Sequence, residues 1–556
     1  MPSHREIEAQ LTGPGGPFEI AHELVLGERT PVFKERARSL RALLEGSAAF
    51  GDREYLVYGD LRLSFAQHLR TVASVAKALA ERHGIGKGDR VAILAANCPE
   101  WIVSFWAALS LGAIVVGLNG WWAGDEIRYG LEDSDPKLLI GDRKRLARIA
   151  GQPLRMPALE IEQDFEKLWS YDRAAALPEV PIDEDDPATI LYTSGTTGRP
   201  KGAVNTHRNI IALCRVQMYH GVRSILLGAG QGGPPALSTG SCMLMNTPLF
   251  HVSGLYAGAV TLLSTGVKTV WATGRFDPVQ VLELIEREKV TNWGPIGPMI
   301  PRVLNHPDLG KYDLSSLRNV GSGGAPLSRA LQQRLREAFP QIRSQMGLGY
   351  GLTESTALAT INSGADLEAY PDSVGSPLPT ISVEIRDPQG RALPEGCEGE
   401  IHLRGPLVMK EYWRNPKATA ETILPGRWLR TGDIGWMKDG RLTIESRKRD
   451  LILRGGENVY PVEIELCLEA HPDVREAAVV GVEHPELGQE VKAIVVPAPG
   501  RRPDPEELAR FVAGRLAYFK VPSRWELRAE PLPRTATGKV LKQVLTGDAV
   551  NTFVDE

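Results

Sequence analysis

The sequence predicts an α/β fold: a large N-terminal domain of parallel-sheet α/β subdomains with a β-rich subdomain, followed by a small α+β C-terminal domain. Three observations predict it. Helical and strand patterns alternate over most of the chain before about Gly375, the order of a largely parallel sheet covered by helices. After Gly375 the pattern changes to short strands and turns, as in SVEIRDPQGRAL, GEIHLRG and GRWLRTGDIGWMKDGRLTIES. The charged segment SRKRDLILRGGEN, residues 446–458, then opens a new run of helices and strands reaching about residue 543.

In order along the chain, a helix is predicted near Ser64 to His83, then strand VAILAA, a helix at 101–111, strand AIVVGL and a helix before KLLIGD. Trp101 to Gly124 carries no Asp, Glu, Lys or Arg, a length that can cross a bilayer. WIVSFWAALSLG nevertheless reads as a buried helix stopped at Gly112, and AIVVGLN as a β-branched strand, so no transmembrane span is expected. Ser224 to Val267 is also uncharged, but the Gly and Pro density of GAGQGGPPALSTG would leave backbone groups unpaired in lipid. The β-rich subdomain covers about 375–446, with hairpins at DPQG and KDG. The boundary falls at Ser446 to Asp450, dividing the chain into 1–446 and 451–556.

Composition narrows the function classes. The chain has 556 residues, with Lys plus Arg at 64, Asp plus Glu at 68 and a net charge of -4. No overall basic field exists to hold nucleic acid. Five cysteines, Cys98, Cys214, Cys242, Cys397 and Cys467, show no metal-ligand or C-x-x-C spacing and read as buried free thiols. The N-terminal MPSHREIEAQ lacks the apolar core of a secretory signal. Both point to the cytoplasm. The basic run Arg143, Lys144, Arg145 reads as a solvated helix face, which leaves peripheral membrane contact open.

The most informative segment is YTSGTTGRPKGAV, from Tyr192 to Val204, after the strand pattern ATILYT. Glycines permit close backbone approach and the hydroxyls add donors, so such a loop can wrap phosphates while Lys201 supplies a point charge. It is not the Walker pattern G-x-x-x-x-G-K-[ST]. The G-x-G-x-x-G at Gly228, Gly230 and Gly233 is a false dinucleotide signal, because Pro234 and Pro235 block the helix it needs. No G-x-S-x-G occurs, which argues against a serine hydrolase.

With PLFHVSG at 248, GSGGAPLS at 321, GYGLTES at 349, GEIHLRG at 399, WLRTGDIG at 428, SRKRDLILRGGENVYPVEIE at 446 and PRTATGKVLK at 533, the chain resembles the adenylate-forming superfamily. Its members include acyl-CoA synthetases, peptide-synthetase adenylation domains and luciferases. The resemblance covers nearly the whole chain and is nearest the fatty-acid–CoA ligase type. It implies two half-reactions: a carboxylate and ATP give acyl-AMP and pyrophosphate, then a thiol displaces AMP.

The resemblance also implies roles. Thr193, Ser194, Gly195, Thr196, Thr197, Gly198 and Lys201 would hold the leaving phosphates, with Gly324, Ala325 and Pro326 completing the nucleotide site. Tyr350 is similar to the adenine-stacking residue, Thr353 to the α-phosphate contact and Glu354 to the Mg²⁺ ligand. Asp433 resembles the acceptor of both ribose hydroxyls, Arg447 its partner on the sugar, and Lys539 the mobile lysine of adenylation. His251 would border the acyl pocket and orient the carboxylate, with Trp293, Gly294, Gly323, Gly324 and Leu348 lining it. Residues 447–450 would form the hinge of a mobile C-terminal domain. Arg449 stands there where the family has Lys or Asp, and a guanidinium makes different contacts. Gly455, Gly456 and Glu457 would present the CoA channel.

The expected partners are ATP, CoA and a hydrophobic carboxylic acid, since the lining shows no charge to pair a second polar group. The acid is a medium- or long-chain fatty acid or a bulky steroid-type acid. A carrier-protein thiol as acceptor, a catalytically silent nucleotide- or acyl-binding protein, and a homodimer stay open.

Overall fold

The computed structural model describes residues 4–151, 153–193, 200–228, 240–296, 299–323, 327–342, 345–447, 450–454, 457–535 and 538–548. Its first long helix shows how local sequence sets the elements. Ser64 caps Phe65–His83 through a reciprocal box with Gln67, and Gly84 at φ 61° ends it. The buried face, including Val72, Val75, Ala76 and Leu79, shares one core with Trp101, Phe105 and Trp106 of Pro99–Ser110. That second helix starts with Pro99 in its first turn and is buried along its length.

These helices belong to a seven-stranded sheet. Its order is Glu411–Tyr412, Lys201–Thr206, Pro187–Thr193, Ile114–Gly117, Arg90–Leu94, Leu138–Gly141 and Ala158–Glu160. The last five are mutually parallel. Lys201–Thr206 returns antiparallel from Pro187–Thr193, and Glu411–Tyr412 adds antiparallel at the edge.

The second sheet carries both expected parts, the parallel α/β strands and the β-rich subdomain. Among the described residues it has fourteen strands, thirteen of them in one path, and is mixed. Glu54–Tyr58, Lys268–Trp271, Cys242–Met245, Asn292–Trp293, Asn319–Gly323 and Met346–Tyr350 run parallel in that order. From Thr360–Ser363 onward the pairing turns antiparallel and continues through Ser373–Pro377, Arg441–Arg447, Trp428–Lys438, Gly399–Arg404 and Ser382–Arg386. The β-rich part is therefore joined edge to edge with the parallel part. The KDG hairpin forms with Asp439 at φ 50° and Gly440 at φ 70°, both positive as the two-residue turn needs. DPQG forms a short hairpin: the antiparallel bridge Arg386↔Ala392 is flanked by backbone bonds from Asp387 N–H to the Arg391 carbonyl at 3.0 Å and from Leu393 N–H to the Ile385 carbonyl at 2.8 Å.

The C-terminal five-stranded sheet is built on the Val474–His484 and Gly488–Pro497 pair. Ile464, Leu468, Val479, Val491, Val495, Leu508 and Val512 form its own core with the helices Pro461–Glu469 and Pro505–Ala513.

Two expectations are corrected. Only Cys214 and Cys242 are buried; Cys98 and Cys467 are half-buried and Cys397 is exposed, all as free thiols. Arg145 is 4 % exposed: Nε donates to the Gly120 carbonyl at 2.9 Å and Nη1 to Asp142 at 2.7 Å. It is a structural cation, and the solvated side belongs to Arg143 and Lys144. Among the described residues no helix is long and apolar enough to cross a membrane.

Candidate active site

Thr193 and Lys201 face each other as the last paired residues of the hairpin Pro187–Thr193/Lys201–Thr206, so the strands fix both feet of the phosphate-loop segment. Ser194, Gly195, Thr196, Thr197 and Gly198 lie outside the described residues. Both feet are held to the helix Gly124–Ser134. The Tyr192 hydroxyl donates to Asp133 Oδ2 at 2.7 Å, and the Tyr129 hydroxyl to the Pro200 carbonyl at 3.0 Å. Burial, then the Asp133 charge, pushes the Tyr192 phenol well up, so it stays a donor.

Beside Lys201 runs Glu411–Tyr412. Its phenol donates to Glu354 Oε1 at 2.7 Å, and Lys201 Nζ sits 5.2 Å from the phenol ring centroid. Glu354 belongs to the short turn Thr353–Ser355 that follows Met346–Tyr350. The Glu354–Tyr412 hydrogen bond therefore joins the two large sheets.

The backbone after Glu354 is strained. Thr356 at φ 53° and Ala357 at φ 80° are non-glycine residues in the left-handed region. Buried hydrogen bonds hold them there. Thr356 Oγ1 donates to the Leu407 carbonyl at 2.6 Å and accepts from Asn205 Nδ2 at 2.9 Å, while Asn205 Oδ1 accepts from the Tyr256 hydroxyl at 3.1 Å. Thr189 pairs with that same hydroxyl. Gly351 is required by this turn, since a Cβ there would lie 2.3 Å from the Ala357 carbonyl oxygen.

Tyr350 donates to Asp433 Oδ2 at 2.7 Å. The two residues are only 7 % and 3 % exposed. Asp433 lies on Trp428–Lys438, where Thr431 Oγ1 accepts its N–H at 3.1 Å, and its register partner on the next strand is Arg447.

His251 caps the turn Val252–Gly254. Its Nδ1 accepts the Ser253 N–H at 3.3 Å and lies 2.8 Å from Ser253 Oγ. A ring nitrogen that accepts a backbone N–H carries no proton, so the neutral ring bears its proton on Nε2. Burial and then the Lys539 ammonium lower the His251 pKa to about 3, which keeps the ring neutral. Lys539 is itself exposed on the turn after Arg534.

The expected pocket lining is uneven. Trp293 is fully buried, and its indole N–H donates to Asn246 Oδ1 at 3.0 Å. Leu348 is buried in the same apolar cluster. Gly294 and Gly323 stand where a Cβ would press within 3.0 Å of Met243 Cε and 3.1 Å of the Gly349 carbonyl oxygen. Gly324, Ala325, Pro326, Arg449, Gly455 and Gly456 lie outside the described residues, and Glu457 is exposed.

Sequence reasoning missed Tyr412, Asn205 and Thr356. Tyr412 sits on a strand of two residues, too short for any periodic signal. Thr356 follows GYGLTES directly, and a β-branched residue gives no sequence sign of a left-handed turn.

Comparison with known proteins adds an independent line. A family model described as AMP-binding enzyme matches residues 44–413, and one described as AMP-binding enzyme C-terminal domain matches residues 463–539. A feruloyl-CoA synthase from Amycolatopsis sp is 36% identical over 494 residues, covering 87% of this chain and 94% of the relative. A long-chain-fatty-acid–CoA ligase from Bacillus subtilis is 33% identical over 577 residues, covering 95% and 96%. Among solved structures, o-succinylbenzoate CoA synthetase from Bacillus subtilis, in complex with its acyl-adenylate intermediate, aligns with a TM-score of 0.76 at 29% identity. The alignment spans 93% of this chain and 99% of that one.

Proposed function

The chain belongs to the AMP-binding enzymes and is a ligase of the AMP-forming acyl-CoA synthetase type, and from that premise we propose that it joins a hydrophobic carboxylic acid to CoA through an acyl-adenylate. A carboxylate is a poor electrophile, because its charge repels nucleophiles and it has no good leaving group. In the first half-reaction a carboxylate oxygen attacks the α-phosphorus of ATP and pyrophosphate leaves. In the second, the CoA sulfur attacks the acyl carbonyl, AMP leaves, and the thiol proton goes to solvent.

Charge builds up on the α-phosphoryl oxygens and the departing pyrophosphate, so the first step is promoted by fixed donors and cations placed there beforehand. Lys201 and the loop from Thr193 to Gly198 hold the leaving phosphates, with Thr353 at the α-phosphate. Tyr350 stacks on adenine, while Asp433 and Arg447 hold the ribose. The neutral His251 offers its Nε2–H to the substrate carboxylate without adding a charge that would blunt attack. Lys539 offsets the negative charge where carboxylate and phosphate meet. The observation that carries this reading is the geometry that brings Lys201 and Glu354 to one side chain, Tyr412, beside the feet of the phosphate-loop segment.

Among the described residues no three His, Cys, Asp or Glu side chains form a metal cage. A single carboxylate, Glu354, fits Mg²⁺, which takes most of its shell from phosphate oxygens and water. Bound there, the ion would neutralise phosphate charge. For the second half-reaction, the C-terminal domain turns about residues 447–450, and Gly455, Gly456 and Glu457 border the thiol channel.

A hydrophobic acid is supported by Trp293 and Leu348 in an apolar cluster and by relatives named for feruloyl and long-chain fatty acyl products. Incubation with ATP, Mg²⁺ and aliphatic, aromatic and steroid acids, with and without CoA, read by mass spectrometry, tests the proposal. A CoA thioester of one acid class is expected. Acyl-AMP that persists with CoA present would overturn the acceptor, and no adenylate from any acid would overturn the activity.

A further inference from the structure

Lys539 is exposed on a turn, and a long side chain delivers its ammonium accurately only if the backbone beneath it is held. Within the turn, Arg534 and Val540 form an isolated bridge, the Thr535 N–H donates to the Lys539 carbonyl at 2.8 Å, and Thr535 Oγ1 accepts the Lys539 N–H at 3.1 Å. One side chain ties this turn to the body of the domain. Arg534 Nη1 donates to the carbonyl of Gly538, the residue before Lys539, at 2.7 Å, while Nη2 donates to Glu476 Oε2 at 2.9 Å. Glu476 lies on Val474–His484, the long strand of the C-terminal sheet. The far flank has its own tie, from Lys542 Nζ to Glu465 Oε1 at 2.7 Å, and that carboxylate oxygen also accepts the Val479 N–H at 2.8 Å.

We propose that Arg534, anchored by Glu476, is a positioning residue for adenylation: its guanidinium bridges the carbonyl before Lys539 to the C-terminal sheet and so fixes where the ammonium arrives. The proposal rests on the reading of Lys539 given above. A guanidinium suits the task because its planar fork presents donors in two directions at once, which one ammonium does not. The ties named here stay within the C-terminal piece, so they move with it and Lys539 carries its geometry into any domain orientation.

The test measures the two half-reactions separately in the full-length enzyme. Arg534→Met should lower the rate of acyl-AMP formation by about 10- to 100-fold with little change in KM for ATP, as expected for a reacting group displaced by about 1 Å. Conversion of supplied acyl-AMP and CoA to thioester should stay within about twofold of the parent. Arg534→Lys, which restores the charge but not the fork, should recover part of the loss. Glu476→Gln should show the same split at smaller size and keeps the test available if Arg534→Met does not fold. Equal loss in both half-reactions would make Arg534 merely structural, and no loss in either would remove it from the mechanism; both overturn the proposal. Lys539→Ala run alongside separates the causes. If it leaves adenylation intact, the reading of Lys539 fails; if it abolishes adenylation while Arg534→Met does not slow it, only the bracing fails.

Discussion

The N-terminal and C-terminal parts of the candidate site are held by different means. On the N-terminal side Tyr350, Asp433 and Thr356 are buried and tied by short hydrogen bonds that reach across strands and between sheets. On the C-terminal side Lys539 is exposed, and its turn is held by ion pairs to one strand and one helix of its own piece. A fixed half and, on the reading proposed above, a portable half need different chemistry. Buried hydrogen bonds lock a group against the core around it. Local, part-exposed ion pairs hold a group to its own carrier and leave the carrier free to move.

The comparison is broken hardest by removing the portable charge. Lys539→Ala should slow acyl-AMP formation by about 1,000-fold, roughly 4 kcal/mol of lost transition-state stabilisation, and leave thioester formation from supplied acyl-AMP near the parent rate. Equal slowing of both steps would mean the two halves are not separable. Asp433→Asn strikes the fixed half. It keeps the shape and the acceptor for Tyr350 but removes the charge, so AMP affinity by calorimetry should fall by about 10- to 100-fold, the range for hydrogen bonds to a charged group. Unchanged AMP binding would take Asp433 out of the nucleotide site.

Tyr412→Phe probes the seam between the two large sheets. Loss of its hydrogen bond to Glu354 should reduce the unfolding free energy of the N-terminal transition by about 1 kcal/mol in urea titration, an effect Lys539→Ala should not share. The smallest expected effect is a titration. His251 is held near pKa 3 by burial first and by Lys539 second, so the ring stays neutral from alkaline pH down to about 3 and contributes no step to the rate near its usual 6.5. Because unfolded chains bind that proton and the fold refuses it, stability falls as pH drops from about 6.5 toward 3. In Lys539→Ala the His251 pKa, read by NMR, should rise while staying below 6.5. No rise would separate the two side chains.

Much of the fixed half was legible because its chemistry lies in short contiguous strings. GYGLTES carries Tyr350 and Glu354 within five residues, and TGDIG carries Asp433. The element pattern was legible for the same reason: Ser64, Gln67 and Gly84 mark both ends of one helix locally. What was hidden depends on distant partners. Hairpin turns after Gly375 signalled antiparallel pairing there, but strand periodicity says nothing of direction, so its earlier start at Thr360–Ser363 could not be read. Tyr412 reaches Glu354 only through a two-residue edge strand. Arg145 looks solvated in an RKR run, yet Asp142 and the Gly120 carbonyl make it an interior ion. Arg534 sits in a recognised motif, but its role becomes visible only when Glu476 is seen beneath it.

The continuity of the fourteen-stranded sheet has a thermodynamic consequence. From Glu54–Tyr58 to Ser382–Arg386 the pairing is unbroken and includes the strands of both Tyr350 and Asp433, so the strands that carry these two residues cannot fray without loosening the one that carries Trp293. The five-stranded sheet has a separate core and no strand in that path. Two cooperative units are therefore expected in one chain, with two transitions rather than a single melting temperature in calorimetry. A bound nucleotide raises the first transition directly and the second only to the extent that the domains are docked.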